Sequence, residues 1–240
     1  MTFMTAADPH LAEIKDAILR ITSVYGIEVV GFLRLDKTIV IPPDEMELLK
    51  GVKWSEGVVD MSNVQNPTQV MPGARAMIIL GKRLIDDTND TSYRFSDDYT
   101  ASVETMLLDI ASAKVIDELK KLGCKGDEYT SYYLKAWAVL AGLGWIGKSR
   151  MFVSKTHGPR LRLKGVLTDA DLGERCMVLD DASCGKCREC AKACPVGAIL
   201  ETEVDRKKCG ACPQNHRQIS ERVYSYCTAC TASCPVGKKL

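Results

Sequence analysis

Apolar residues recur at helical spacing near the start of the chain: Leu11, Ile14, Ile18, Ile21 and Tyr25 share one face, and Gly26 follows as a stop. Residues 27–35 (IEVVGFLRL) read as a strand. Between residues 38 and 66 the pattern is mixed, with Pro42-Pro43 and a short helix expected around 44–50. Pro72-Gly73 marks a turn into ARAMIILG (74–81), a nearly unbroken apolar run of the kind a strand shows when both faces are covered. Residues 86–98 are polar and read as a loop. The longest helix is expected over about 99–122, with Leu108, Ala111, Val115, Leu119 and Leu122 on one side and Gly123 at its end. A second helix covers about 131–140 and runs into AGLGWIGKS, and a strand at 161–168 follows. The composition shifts near 171–181. This divides the chain into an α/β body (1–173) and a cysteine-rich part (174–240).

With 240 residues the chain can bury a sizeable core. Its formal net charge of +1 gives no bulk sign of a nucleic-acid or membrane-surface protein. No apolar run approaches the ~20 residues of a spanning helix, and the first residues lack the basic-then-apolar layout of a signal peptide. A cytoplasmic protein is expected.

Nine of the eleven cysteines lie after Ser183, which is not how a secreted disulfide scaffold distributes them. CGKCRECAKACP gives Cys184, Cys187, Cys190, Cys194 and Pro195, a C-x2-C-x2-C-x3-C-P run. In two-cluster ferredoxins with this run the fourth cysteine ligates the other cluster. Zinc favours paired C-x2-C motifs instead. Near the C-terminus, CTACTASCP supplies Cys227, Cys230, Cys234 and Pro235, with Tyr224 where a first cysteine would stand. One [4Fe–4S] cluster is therefore expected on Cys184, Cys187, Cys190 and Cys234, and a second on Cys194, Cys227, Cys230 and one further thiol. Cys209 and Cys212 are the two candidates. Cys124 and Cys176 read as inert thiols. Two such clusters would take the net charge from +1 to about −3, which Arg206, Lys207 and Lys208 partly offset.

The glycines of AGLGWIGKS can let backbone approach a ligand, or can simply shape a helix–turn–strand junction around a packed tryptophan. The run follows a helix and is neither a phosphate-binding loop nor a dinucleotide fingerprint. His10, His157 and His216 are too scattered to build a metal site and read as surface residues.

Taken together, AGLGWIGKS, GVLTDADL, the four-cysteine run, a lone cysteine after D-x-R-K-K and C-x2-C-x3-CP resemble the epoxyqueuosine reductase family and its shorter double-cluster relatives. The order and spacing match from about residue 72 to 239. The resemblance implies an α+β chain: a nitroreductase-like, cobalamin-processing-like body followed by a small 2[4Fe–4S] ferredoxin-like domain, an arrangement shared with reductive dehalogenases. It favours Cys209 as the remaining ligand. It implies cobalamin between body and clusters, with Gly142, Gly144, Trp145, Ile146, Gly147, Lys148 and Ser149 as cofactor-binding residues. Electrons would come from an external low-potential donor such as ferredoxin or flavodoxin and pass through the clusters to cobalt. The substrate is then reduced there, with an acid at Asp127 or Glu128 protonating the departing oxygen.

Two departures bear on the substrate. Asp97-Asp98-Tyr99-Thr100 stands where the family commonly shows Arg-Asp-Tyr-His. The sequence also ends five residues after Pro235, where tRNA-acting members continue into a helical extension. A small or nucleoside-like substrate is expected, and these departures weigh against tRNA. The alternatives are an electron-transfer protein serving a partner such as a corrinoid protein, and a flavin reductase.

Overall fold

The computed structural model describes residues 8–35, 53–54, 57–58, 67–86, 90–97, 99–130, 134–173, 183–201 and 203–238. The short helix expected around 44–50 and Cys176 lie outside them. Helix α1 (Pro9–Val24) starts under Asp8, whose carboxylate accepts from the His10 amide, with Pro9 where a missing N–H costs nothing. Strand β1 (Val29–Arg34) follows. A short hairpin pairs β2 (Lys53–Trp54) with β3 (Gly57–Val58). Helix α2 (Pro67–Val70) leads to β4 (Ala76–Arg83), then β5 (Asp90–Arg94) and β6 (Thr100–Ala101).

Helix α3 (Val103–Lys121) begins later than the apolar pattern predicts, because the Ser102 hydroxyl caps it by accepting from the Thr105 amide at 3.2 Å. The residues before it are extended and belong to β6. Next come β7 (Gly126–Tyr129), α4 (Leu134–Leu140), β8 (Gly144–Ile146), β9 (Phe152–Ser154) and β10 (Leu161–Thr168). The cysteine-rich part adds α5 (Glu189–Ala193), α6 (Arg206–Gly210), β11 (Arg217–Gln218), β12 (Val223–Tyr226) and α7 (Ala229–Ala232).

The body is built on an antiparallel sheet in the order β1-β4-β10-β7. β4 is covered on both faces, as its apolar run predicts. Met77 and Ile79 join Trp137, Leu140 and Phe152 on one side, whereas Ala76, Ile78 and Leu80 join Ile14, Ile18, Leu108 and Val115 on the other. The sheet is thus sandwiched between α1 and α3 on one face and α4 with the β8–β9 hairpin on the other. Asp171 fastens the end of this layer by pairing with Arg34 and Arg75, which hold its carboxyl below the usual range. No helix among the described residues is long and apolar enough to cross a membrane.

A second sheet, β11-β12-β5-β6, corrects one expectation: residues 90–94 form a strand where the polar composition predicts a loop. Its partner supplies the reason. Tyr93 pairs with Val223 and Asp90 with Tyr226, so β5 takes its ladder from a strand far along the chain. Two strands of this sheet come from each side of the division at residue 173.

Ser102→Ala is expected to cost about 1 kcal/mol through loss of the α3 cap, lowering Tm by roughly 2–4 °C in a chain of this size. A melting curve followed by circular dichroism checks this.

Candidate metal centre

Each cysteine stretch is a tight loop leading into a one-turn helix. Cys187 N donates to the Cys184 carbonyl at 2.9 Å, and Gly185 between them has a φ of +49°. α5 then carries Cys190. The amide of Ala198 donates to Cys194 Sγ at 3.2 Å, the kind of N–H to sulfur contact that stabilises a thiolate. α7 and its flanks present Cys227, Cys230 and Cys234 in the same way, and α6 carries Cys209, with Cys212 N donating to the Cys209 carbonyl at 3.2 Å. All ten described cysteines are free thiols.

The thiols sort into two neighbourhoods. Burial pushes the Cys190 thiol up, and Cys184 and Cys187 add to the effect; burial likewise raises Cys234, which has the same two neighbours. Cys230 is pushed up to about 12, first by burial and then by Cys227, Cys209, Cys190 and Cys194. Cys209 is raised by burial, with Cys194 and Cys212 nearby. Burial raises Cys227 as well, against a hydrogen bond from the Ala229 amide, and Cys212 lies within hydrogen-bonding reach. The C-terminal Cys234 thus crosses to the first run, and Cys194 crosses to the second. Among the described residues no three such side chains converge on a single-ion site. Instead Cys194, Cys209, Cys212, Cys227 and Cys230 ring one cavity, an arrangement suited to a multi-iron cube.

The body grips the C-terminal loop through buried arginine. Arg160 is 0% exposed. Its guanidinium donates to the carbonyls of Cys234 at 2.6 Å, Val236 at 2.8 Å and Ala232 at 3.3 Å. Arg83 adds a bond to the Gly237 carbonyl at 3.1 Å. Two glycines allow the backbones to meet: a Cβ on Gly158 would stand 2.0 Å from the Val236 oxygen, and one on Gly237 would stand 2.2 Å from the His157 carbonyl carbon.

The cavity, about 480 Å³, lies where body and cysteine loops meet. Ser92, Thr100, Ser102, Thr105 and Ser149 give its body wall hydroxyl groups, and Met151, Leu161 and Arg162 extend that wall. Arg162 donates to Asp90 at 2.6 Å, and its buried Nε has no hydrogen-bond partner among the described residues. Lys135 sits behind the cavity. Part of its side chain stays accessible, but the ammonium is set deep among protein atoms. That desolvation, reinforced by Arg206 and Arg162 and opposed by Cys230, lowers its pKa to about 8.

A model of the 4Fe–4S binding domain matches residues 177–200. The epoxyqueuosine reductase of Gloeobacter violaceus is 29% identical over 192 residues, covering 70% of this chain and 58% of that protein. That of Aliivibrio fischeri is 30% identical over 159 residues, covering 61% and 42%. The solved epoxyqueuosine reductase of Streptococcus thermophilus superposes with a TM-score of 0.66 at 19% identity, over 95% of this chain and 67% of that one. In sequence and in fold the chain resembles epoxyqueuosine reductases. It covers 58% and 42% of the two curated relatives' lengths. A catabolic reductive dehalogenase in complex with 3-bromo-4-hydroxybenzoic acid shares the fold more distantly, with a TM-score of 0.59 at 15% identity over 93% of this chain and 32% of that one.

Within this epoxyqueuosine reductase-like chain, AGLGWIGKS faces the first cysteine loop. Lys148 donates to the Gly185 carbonyl at 2.9 Å, and a Cβ on Gly147 would lie 3.5 Å from Cys184 Sγ. Ser149 lines the cavity. Gly142 ends α4 with a φ of +70°, and Gly144 lets β8 close on β9, since a Cβ there would lie 2.0 Å from the Val153 oxygen. Trp145 and Ile146 are half-buried in that hairpin. Asp127 and Glu128 are exposed on the edge strand β7, opposite Leu167 and Val166, whereas the cavity takes Leu161 and Arg162 from the other end of β10. Glu128 is moreover paired with Lys164 at 3.0 Å. The structure therefore does not bring these two carboxylates to the cavity. His216, expected as a surface residue, is exposed but lines the cavity rim against Tyr226. Sequence reasoning missed Arg160 and Lys135. A lone charge in the apolar helix LKAWAVL is a signal that could have found the second.

Arg160→Met is expected to cost about 3 kcal/mol or more, because it removes several charge-assisted bonds to otherwise buried carbonyls. Iron content per chain should fall with the melting temperature in an anaerobically reconstituted sample.

Proposed function

We propose that this chain is an iron–sulfur oxidoreductase that takes electrons from an external donor of the ferredoxin or flavodoxin class and reduces a small or nucleoside-like substrate. Cys184, Cys187, Cys190 and Cys234 hold one [4Fe–4S] cluster, and Cys194, Cys209, Cys227 and Cys230 hold the other. The observation that carries the reading is the hydroxyl-lined cavity whose opposite wall is the second set of thiols.

The residues present fit a corrinoid in three respects. The cavity sits between body and cysteines, its hydroxyls suit a ligand rimmed with amides, and the buried Nε of its lining Arg162 lacks a hydrogen-bond partner among the described residues. When bound, a corrinoid supplies a low-potential cobalt centre able to reduce carbon. Ser92, Thr100, Ser102 and Thr105 would orient it, and the apolar Met151 and Leu161 would keep water away. The exposed Cys187 marks the side on which a donor can reach the first cluster.

The exposed rings beside the cavity-lining residues of the β5–β6 segment favour a planar substrate. Tyr93 and Phe95 meet edge-on with centroids 4.9 Å apart, and Phe95 and Tyr99 lie at 5.6 Å. All three rings are at least 40% exposed, on the β5–β6 segment whose Ser92 and Thr100 line the cavity. Such rings can stack on a base. One solved relative is described with an epoxyqueuosine-modified tRNA-Tyr stem loop, and a base carried on RNA is the larger version of the same ligand.

Two experiments test this reading. Cys209→Ser should lower the reconstituted protein from about eight iron atoms to about four per chain, whereas Cys212→Ser should keep about eight. The reverse result moves the ligand to Cys212. Cob(II)alamin mixed with the reconstituted protein should give a base-off EPR signal that is quenched on reduction. Cluster signals beside an unchanged free cob(II)alamin spectrum would instead make the chain an electron carrier for a partner protein.

A further inference from the structure

Helix α4 carries a single charged residue, Lys135, in an otherwise apolar sequence. Among the described residues the ammonium finds only long contacts: the Arg150 carbonyl oxygen at 3.4 Å and Met151 Sδ at 3.9 Å. No carboxylate pairs with it among the described residues. The charges that do reach it are two cations, Arg206 and Arg162, and the Cys230 thiol. Asp90 already engages Arg162 at 2.6 Å. Arg206 opens α6 three residues before Cys209, is itself desolvated, and has the thiols of Cys209 and Cys230 as its charged neighbours. One cation, Arg206, is thus set into the cavity wall and a second, Lys135, behind it; the lining carboxylate, Asp90, is taken by Arg162, which leaves the cysteines as the anionic groups facing the pair. Burying an unpaired ammonium costs several kcal/mol, so this arrangement calls for a counter-charge. A 2+ iron–sulfur core held by four thiolates carries −2, which would balance the pair.

We propose that Lys135 and Arg206 are the charge partners of the second thiolate set and raise the reduction potential of the cluster held there. The inference rests on the reading that Cys194, Cys209, Cys227 and Cys230 hold a [4Fe–4S] cluster. One electron from the donor takes the core from 2+ to 1+ and the cluster with its thiolates from −2 to −3, with no bond broken. A fixed positive charge close by favours the more negative state, and the low-dielectric surroundings strengthen its effect. Lys135 acts as a positioning charge: it touches neither substrate nor thiol. With a pKa of about 8 it remains mostly cationic at neutral pH.

The test is an EPR-monitored potentiometric titration of the full reconstituted chain, with dithionite as the electron source. Lys135→Met should shift one cluster to more negative potential by at least a tenfold change in the reduced-to-oxidised ratio at fixed ambient potential, 59 mV for a one-electron couple. Lys135→Arg should stay near wild type, and the other cluster should not move. Unchanged midpoints in a Lys135→Met protein with full iron content would overturn the proposal. Should that variant lose the second cluster's iron, Arg206→Gln replaces it: a negative shift supports the proposal and an unmoved midpoint overturns it. A wild-type protein that takes up only one cluster's iron would overturn the two-cluster reading itself.

Discussion

The arrangement of the cysteines depends on one buried cation. Arg160 leaves the body at the start of β10 and spends its guanidinium on the carbonyls of Ala232, Cys234 and Val236. Burying a guanidinium is costly unless it is hydrogen-bonded, and because its terminal nitrogens take their acceptors from these three carbonyls, the C-terminal loop has little freedom to sit elsewhere. That sets Cys234 beside Cys184 and Cys187, so the end of the second run lies against the first. The close approach of Gly158 to Val236 and of Gly237 to His157 makes the same joint at the level of backbone.

From this joint outward, the two halves of the chain act as a single framework. The body's sheet presents the start of β10 to the cavity, and α4 presents Lys135 behind it. β5 and β6 cross to the other sheet and bring Ser92 and Thr100 to face the thiols. Lys148 ties the glycine-rich turn after α4 to the first cysteine loop. The AGLGWIGKS motif is thereby a seat for the cysteine-rich part, with Ser149 at its end lining the cavity.

How much of this the sequence discloses depends on whether the cause is local. β10 falls on the predicted residues, and β4 shows in its apolar run the burial of both faces, because burial of this kind is written in the residues themselves. β5 is different: Asp-Thr-Ser-Tyr-Arg has no strand signature, and only pairing with β12 makes it one. The late start of α3 needs the Ser102 cap to be weighed above the apolar pattern. The placement of Asp127 and Glu128 away from the cavity follows from the register of β7 on β10, which no spacing argument supplies. Arg160 follows Gly158-Pro159 with no sign of the role it has.

The pairing of β5 with β12 also constrains how the molecule comes into being. Arg94 bonds Tyr224 across a separation of 130 residues, so this sheet closes only after nearly the whole chain has left the ribosome. The body's own sheet draws on strands that are complete by residue 168, and can be standing well before then. During that interval nine thiols hang from an open, unsheltered segment. Docking of β12 on β5 is therefore a late step of biogenesis, made onto a body whose β5–β6 pair already offers its waiting edge.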